Sequence, residues 1–329
     1  MPSSTRFPSR RPRVARFLER APRWALRRVA ERNACVRPLG LQPGWYFGVA
    51  DEDTSREAAF RRELSRYYRD EHILDPIVVR WYEGLKLRLY LGTDMSHCLY
   101  IGGSFEPNEF VFLRSVLRPG MVFLDGGAND GVYSLYAARR VGDSGRVIAI
   151  EPSSREYERL LSNLRLNKIG NVEALGVALG EAPGSAVLAI AEEGHEGQNT
   201  IGERVSNPTV ETRAHETVRV ETIDGLVDEL GLERVDVVKL DVEGSELRAL
   251  AGGRTTIERF QPLLQVEIEE ERLASQETTK EVVLDLLDSL GYRAYVFDSG
   301  TGQLRPPIDP DEPEGNVIAG PAAWHPVDL

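Results

Sequence analysis

The chain has 329 residues, of which 41% are hydrophobic and 28% are charged, a composition typical of a globular protein with a substantial core. Its two cysteines, Cys35 and Cys98, are too few for a disulfide framework, and no apolar run reaches the ~20 residues that a membrane-spanning helix needs. This composition disfavours disulfide-rich secreted proteins and membrane channels, and it predicts a cytoplasmic protein.

The net charge of −12 is distributed unevenly along the chain. Residues 1–37 contain eleven arginines and two acidic residues, so this arm carries +9 and residues 38–329 carry −21. Phosphate contacts need clustered basic residues, which the acidic body lacks, so we expect no nucleic-acid partner.

The basic arm contains one helix-like pattern. Apolar residues from Val14 to Val29 follow helical spacing with arginines between them, and Pro22 would break or kink that helix. We expect residues 1–50 to be an N-terminal arm that is partly disordered and partly helical. Four roles fit residues 1–37: a membrane-peripheral helix on anionic lipid, a contact for a partner protein, a transit peptide, or a segment packed on the body.

Residues 51–118 combine helix and strand patterns. The stretch 51–75 is highly charged and predicts one solvated helix. Residues 77–82 and 85–89 flank a short turn and predict a β-hairpin, and residues 107–117 predict a further helix. We interpret this region as an N-terminal helix and β-hairpin cap on the domain that follows.

Strand-like and helix-like segments alternate over residues 119–325. The predicted strands are 122–124, 146–150, 172–178, 218–221, 235–240, 263–268, 292–297 and 316–319. The predicted helices are 133–140, 154–167, 224–230, 245–250 and 278–290. This alternation predicts an α/β fold with a mostly parallel sheet and helices on both faces.

The turn after the strand 122–124 is rich in glycine. Asp125 ends the apolar run, and Gly127, Asn129 and Gly131 follow at alternating positions before a helix begins. Glycines at such a strand-to-helix turn let the backbone approach a ligand closely. The acid adds a hydrogen-bond acceptor or a counter-charge for a cationic ligand.

Two further acids stand at predicted strand ends, Glu151 and Asp241. Ligands of open α/β sheets bind beyond the carboxyl ends of the strands. Glu151 lies twenty residues after Gly131, where an acid can accept hydrogen bonds from the two hydroxyls of a ribose. The alternative is that each acid merely caps the next helix, which is less plausible for three acids together than for one.

The turn differs from the dinucleotide fingerprint G-x-G-x-x-G, because Ala128 takes the place of the middle glycine. Counted from Asp125 it is D-x-G-x-N-x-G, close to the turn of S-adenosylmethionine-dependent methyltransferases. A carboxylate suits a sulfonium cation better than a pyrophosphate. An NAD-linked oxidoreductase and a non-catalytic nucleoside-binding module remain as alternatives.

The turn lies in the segment 123–134, and further characteristic segments are 100–106, 150–152, 160–167, 238–246 and 264–269, all within residues 75–320. Together these segments resemble the FkbM-type S-adenosyl-L-methionine-dependent methyltransferases. The Asp-Val-Glu-Gly-Ser-Glu element at 241–246 is the most specific of them after the turn. One departure is Gly126, where the family usually has a small β-branched residue.

The resemblance implies a Rossmann-like class I methyltransferase domain over residues 119–325, with a mostly parallel seven-stranded sheet and helices on both faces. This domain would transfer a methyl group from S-adenosylmethionine to a hydroxyl of a sugar, a glycan, or a glycosylated or polyketide-type natural product. Such an acceptor could be a free small molecule or bound to a carrier. The implied cofactor-binding residues are Asp125, Gly126, Gly127, Asn129, Gly131, Glu151, Pro152, Ala178 and Asp241.

Methyl transfer to an alcohol depends mainly on positioning and benefits from a general base or a metal. The leading candidate base is Asp241, with Glu243, Glu267 and His215 as further catalytic candidates. Asp241, Glu243 and Glu267 could instead hold Mg²⁺ through their oxygens. His215 lies in the polar segment 198–218, which we expect to be a loop that could close over the substrate.

Overall fold

The computed structural model describes residues 21–42, 53–309 and 312–326. The predicted arm helix therefore lies outside the described residues as far as position 20. Its described part is helix α1 (Arg23–Asn33), which begins directly after Pro22, because proline is tolerated at a helix start. Leu26 and Ala30 of α1 are buried, while the contact of the arm with a membrane or a partner stays a prediction.

The other described α-helices are short to medium in length. They are α2 (Arg56–Asp70), α3 (Asp94–His97), α4 (Pro107–Val116), α5 (Val132–Val141), α6 (Ser154–Asn167), α7 (Ile223–Glu229), α8 (Glu246–Ala251), α9 (Arg254–Phe260), α10 (Glu270–Ser275) and α11 (Lys280–Ser289). Among the described residues, no helix has the length and apolar character that crossing a bilayer requires.

The strands belong to three sheets. They are β1 (Ile77–Arg80), β2 (Lys86–Leu89), β3 (Val122–Gly126), β4 (Arg146–Ile150), β5 (Val172–Leu175), β6 (Ala178–Leu179), β7 (Gly184–Ala191), β8 (Thr200–Ile201), β9 (Thr212–Glu221), β10 (Val237–Leu240), β11 (Leu263–Ile268), β12 (Tyr292–Phe297), β13 (Leu304–Arg305) and β14 (Gly315–Pro321).

Eight strands form the main sheet, in the order β13-β12-β14-β11-β10-β3-β4-β5. The strands β5, β4, β3, β10 and β11 are parallel, and β14 is antiparallel to both of its neighbours, β11 and β12. This confirms the predicted Rossmann-like class I fold with its mostly parallel sheet. The eighth strand, β13, has only two residues and extends the predicted seven.

Side chains of the central strands alternate between the two faces of the sheet. Phe123 and Val147 pack on one face with α5 and the hairpin. Leu124 and Ile148 pack on the other face with α7, α8 and α11. Helices therefore cover both faces, as predicted, and the apolar runs of β3 and β4 are explained by burial on both sides.

The cap contains the predicted hairpin, since β1 and β2 pair antiparallel. Trp81, directly after β1, meets the ring of Phe110 of α4 edge-on, with 4.9 Å between ring centroids. Helix α2 is only partly solvated, because Leu64 and Tyr68 are buried. These residues belong to the same apolar cluster as one face of the main sheet. The domain boundary at 118 stays a prediction.

The prediction of a loop over 198–218 was wrong, because this segment contains β8 and most of β9. A second sheet has the order β6-β9-β7-β8, and β7 and β9 form a long antiparallel ribbon. Most side chains of β9 are exposed or half-buried, so no apolar alternation marks it in the sequence. The predicted strand 172–178 is likewise divided, since Ala178 lies in β6 of the second sheet.

Candidate active site

The glycine-rich turn after β3 lies directly against the end of β10. Gly127 has a φ of +75°, and a Cβ atom on it would lie 1.7 Å from the carbonyl oxygen of Asp241. Asn129 also has a positive φ, 49°, which asparagine tolerates better than most residues. The backbone N–H groups of Gly127 and Ala128 donate to the carbonyl of Ile150 at 3.0 and 2.9 Å. The turn is thus fixed between β4 and β10.

Gly126, where the sequence departs from the usual pattern, lies between two leucine side chains. A Cβ atom there would lie 2.8 Å from Leu179 Cδ1 and 2.9 Å from Leu240 Cδ2. These two leucine side chains occupy the space that a larger residue at 126 would need.

Glu151 follows β4 and is buried. Its Oε2 accepts the N–H of Asn129 at 2.8 Å, and its Oε1 accepts the N–H of Ser153 at 2.9 Å. Burial first, and the charge of Glu156 second, raise the pKa of Glu151 to about 8. Each carboxylate oxygen retains a further lone pair for a hydroxyl ligand.

Two cavities meet at the turn. The Glu151 cavity is lined by Glu151, Pro152, Ala178, Leu188, Asn199 and Val242. The central cavity is lined by Glu106, Tyr133, Arg159, Lys239, Glu267 and Arg272. Both cavities contact Gly127, Asn129, Asp241 and Glu243, so one extended ligand could occupy both.

Asp125 does not line either cavity. It is fully buried, and its Oδ2 accepts the hydroxyl of Ser134 at 2.5 Å. Burial raises the pKa of Asp125, although Lys239 opposes this effect. Gly131 is also outside the cavities, with Leu160 Cδ1 only 2.4 Å from where its Cβ would be. Asp125, Gly126 and Gly131 therefore support the turn, whereas the other predicted cofactor-binding residues line the cavities.

Lys239 is a site residue that the sequence analysis missed. Its Nζ lies 3.1 Å from Asp241 Oδ2 and 3.9 Å from Asp125 Oδ1, and it stands 4.8 Å above the ring of Tyr133. Burial alone would raise the pKa of Asp241, but the charges of Lys239 and Arg272 lower it. The signal in the sequence was a lysine inside the otherwise apolar strand β10.

Asp241, Glu243 and Glu267 come together as predicted, with carboxylate oxygens within 4.8 Å of one another. A cationic side chain already joins two of them, because Arg272 Nη1 contacts both Glu243 and Glu267. Burial raises the pKa of Glu243 and of Glu267 despite this contact. The donor set alone resembles a divalent-cation site, but with Arg272 in this position it does not fit one.

The loop between β10 and α8 shows backbone strain. Glu243 has a φ of 55°, in the left-handed region that side chains other than glycine disfavour. Glu246, at the start of α8, accepts the N–H groups of Val242 and Gly244 at 2.9 and 3.2 Å. This contact holds the loop, so Glu246 has a structural role.

Glu106 is a second residue that the sequence analysis missed. Tyr133 Oη donates to its Oε2 at 2.5 Å, and Asn316 Nδ2 donates to its Oε1 at 2.8 Å. Burial, followed by the charge of Asp241, raises the pKa of Glu106 to about 7. Its segment 100–106 belongs to the resemblance, yet only the tertiary contacts reveal that Glu106 faces the central cavity.

His215 does not reach the site. It lies on β9 with a half-exposed side chain, its Nε2 donates to the carbonyl of Glu203 at 2.9 Å, and it lines neither cavity. The exposed ribbon carries it away from β10, so the structure gives no support for a catalytic His215. Glu196 and Gly197, in the connection between β7 and β8, do line both cavities.

Comparison with known proteins gives a family for this arrangement. Residues 125–294 match the profile of the methyltransferase FkbM domain. The chain is 33% identical over 154 residues to methyltransferase sdnD of Sordaria araneosa, covering 39% of this chain and 59% of that protein. It is 31% identical over 194 residues to the AMB antimetabolite synthetase AmbE of Pseudomonas aeruginosa, covering 49% of this chain and 9% of that protein.

Among solved structures, methyltransferase FkbM from Methylobacillus flagellatus aligns with 84% of this chain and 57% of its own, at 17% identity and a TM-score of 0.40. This chain thus spans less than two thirds of the length of these curated relatives. The family profile covers 170 of the 329 residues and includes the turn, Glu151 and the carboxylates around Asp241. The chain belongs to the FkbM methyltransferase family.

Proposed function

We propose that the protein transfers a methyl group from S-adenosylmethionine to a hydroxyl of a sugar, a glycan or a related natural product. The observation that carries this proposal is the junction of the Glu151 cavity with the carboxylate-lined central cavity at Gly127 and Asp241. Asp241, Glu243 and Glu267 face the region beside the turn, which would repel the pyrophosphate of NAD.

The proposed cofactor would occupy both cavities, with one half in each. The ribose hydroxyls would bind Glu151, and the adenine would lie near Pro152 and Ala178. The sulfonium end would lie at Gly127 and Asp241, where carboxylates favour a positive charge. When bound, S-adenosylmethionine supplies an electrophilic methyl group for in-line displacement, so the protein contributes mainly orientation.

Isothermal titration calorimetry tests this assignment. We expect S-adenosylmethionine and S-adenosylhomocysteine to bind and NAD to give no heat. Mass spectrometry of a panel of sugars and glycosylated natural products should then show one added methyl group on the true acceptor. Binding of NAD, or no binding of S-adenosylhomocysteine, would contradict the proposal.

The affinity for S-adenosylhomocysteine should rise with pH because of Glu151. In the free protein the pKa of this carboxyl is about 8, so it is protonated at lower pH. Ribose hydroxyls donate to the carboxylate and lower its pKa, so binding releases a proton. We expect the affinity to increase up to about tenfold per pH unit from about pH 6 to about pH 8, and then to level off.

Calorimetry in two buffers with different ionisation enthalpies measures this proton release. The control is Glu151→Gln, which keeps the size of the side chain and cannot titrate. This variant should bind more weakly and with no pH dependence over the same range. An equal slope in both proteins would show that another group titrates on binding.

We assign the role of general base to Glu106 rather than to Asp241. Asp241 forms an ion pair with Lys239, and its lowered pKa makes it a weak proton acceptor. Glu106 has neutral partners, Tyr133 and Asn316, and its pKa of about 7 suits a base at neutral pH. It also lines both the central cavity and a third cavity beside β14, where an acceptor could enter.

Glu106→Gln should lower kcat about 10²–10⁴-fold, the usual contribution of a general base. Its affinity for S-adenosylhomocysteine should fall far less than kcat does, because the Glu151 cavity, where the ribose would bind, is unchanged. Single-turnover kinetics with the acceptor found in the panel measures the chemical step. An unchanged kcat in Glu106→Gln would mean that Glu243 or Glu267, and not Glu106, is the general base.

A further inference from the structure

Arg272 holds the carboxylates at the centre of the site together. Its Nη1 lies 2.9 Å from Glu243 Oε1 and also contacts Glu267 Oε2, while its Nε lies 2.7 Å from Glu269 Oε2. The guanidinium therefore forms ion pairs with three acids from one planar group, a geometry that lysine or a single water cannot reproduce. Only Asp241 of the carboxylate cluster takes its main counter-charge elsewhere, from Lys239.

The position of Arg272 is fixed by the backbone around it. Gly244 has a φ of +100°, and a Cβ atom on it would lie 2.5 Å from the carbonyl oxygen of Arg272. The loop after β10 therefore packs directly on α10. The hydroxyl of Ser275 donates to the same carbonyl at 2.6 Å. An ion that displaced the guanidinium would have to break three charge-assisted contacts within this tight packing.

The charges also oppose an added metal. Asp241, Glu243 and Glu267 provide the oxygen ligands that a divalent cation would use. Lys239 and Arg272 already bring two positive charges to these three acids. A divalent ion placed beside Arg272 would meet a buried like charge, which raises its free energy of binding.

We propose that Arg272 is a positioning residue that takes the place of a divalent metal ion in this site. It holds Glu243 and Glu267 in one orientation and excludes Mg²⁺ from the three carboxylates. It also leaves Glu243 Oε2 buried without a hydrogen-bond partner among the described residues, in a side chain that lines both cavities. This oxygen is available to the ligand. Its use in methyl transfer rests on the proposed function, whereas the exclusion of metal does not.

Binding of Mn²⁺ alone, followed by electron paramagnetic resonance, tests the proposal on the full chain. The wild type should bind no Mn²⁺ at micromolar concentrations. Arg272→Ala should bind Mn²⁺ at least about tenfold more tightly than the wild type does, the order of change that groups around metal ligands produce. Arg272→Lys, which keeps the charge, should remain like the wild type. Adding Asp241→Asn to Arg272→Ala should remove the gain.

Arg254→Ala is the matched control, because Arg254 forms an exposed ion pair with Glu258 on α9, and it should leave Mn²⁺ binding unchanged. Arg272→Gln replaces Arg272→Ala if circular dichroism shows that the alanine variant does not fold. Tight stoichiometric Mn²⁺ binding by the wild type that Asp241→Asn removes would overturn the proposal. A folded Arg272→Ala or Arg272→Gln variant that binds Mn²⁺ no more tightly than the wild type would also overturn it. Neither outcome depends on S-adenosylhomocysteine binding, so failure of the proposed function is seen separately.

Discussion

Gly127→Ala should abolish measurable binding of S-adenosylhomocysteine. The new Cβ atom would lie 1.7 Å from the carbonyl oxygen of Asp241, far inside van der Waals contact. Neither backbone segment can move away easily, because both are hydrogen-bonded. The N–H of Asp241 donates to the carbonyl of Gly126 at 3.1 Å, and the N–H of Gly127 donates to the carbonyl of Ile150 at 3.0 Å. Left-handed strain of about 1–3 kcal/mol adds to the clash. We expect an affinity loss of more than about 100-fold, measured by calorimetry.

Gly142→Ala is the control that separates strain from clash. Gly142 also has a positive φ, +63°, but nothing lies within 4 Å of its Cβ position. Its ψ of −176° places Gly142 in a backbone region that only glycine populates readily. The alanine should therefore lower the free energy of unfolding in urea by about 1–3 kcal/mol and leave ligand binding intact. If Gly127→Ala bound S-adenosylhomocysteine as well as Gly142→Ala does, the close approach of the turn to β10 would not define the ligand site.

The turn and the position of Glu151 beside it could be predicted because their signals are local. An apolar run, an acid and alternating glycines stand within residues 121–131, and Glu151 ends the next apolar run. The carboxyl ends of parallel strands meet at one edge of the sheet whatever the detailed register is. The cluster of Asp241, Glu243 and Glu267 follows from the same rule applied to β10 and β11.

Lys239 and Arg272 could not be predicted in the same way, because their roles depend on register and packing. The pairing of β10 with β3 sets Lys239 directly opposite Asp125, which lies 114 residues earlier in the chain. Arg272 meets Glu243 only because Gly244 allows the loop to pack on α10. No periodicity in the sequence encodes either contact.

Most of the β7–β9 ribbon was missed for a different reason, although the predicted strand 218–221 is the end of β9. A strand with one buried face shows apolar alternation, but β9 exposes or half-exposes nearly all its side chains. Its backbone pairing with β7, rather than burial, holds it as a strand. This error also placed His215 near the substrate, whereas the ribbon holds it at the surface.

Lys239→Met should strongly destabilise the protein at neutral pH. The methionine fills a similar space, but it leaves Asp125 without its cationic neighbour and removes the closest cation from Asp241. Breaking a buried ion pair by removing one partner typically costs about 3–5 kcal/mol. Urea unfolding at pH 7 measures this loss. The matched control Lys86→Met, at an exposed position of β2, should change the free energy of unfolding by less than about 0.5 kcal/mol.

The loss in Lys239→Met should shrink as the pH falls, and this separates charge from packing. Without the lysine, burial would raise the folded-state pKa of Asp125 and Asp241 well above the unfolded value of about 3.9. A group with a raised folded pKa stabilises the native state below its unfolded pKa, and that contribution is lost as the pH rises. The difference from the wild type should therefore be largest at neutral pH and smallest near pH 4. A difference independent of pH would mean that Lys239 acts through packing against Tyr133 and not through its charge.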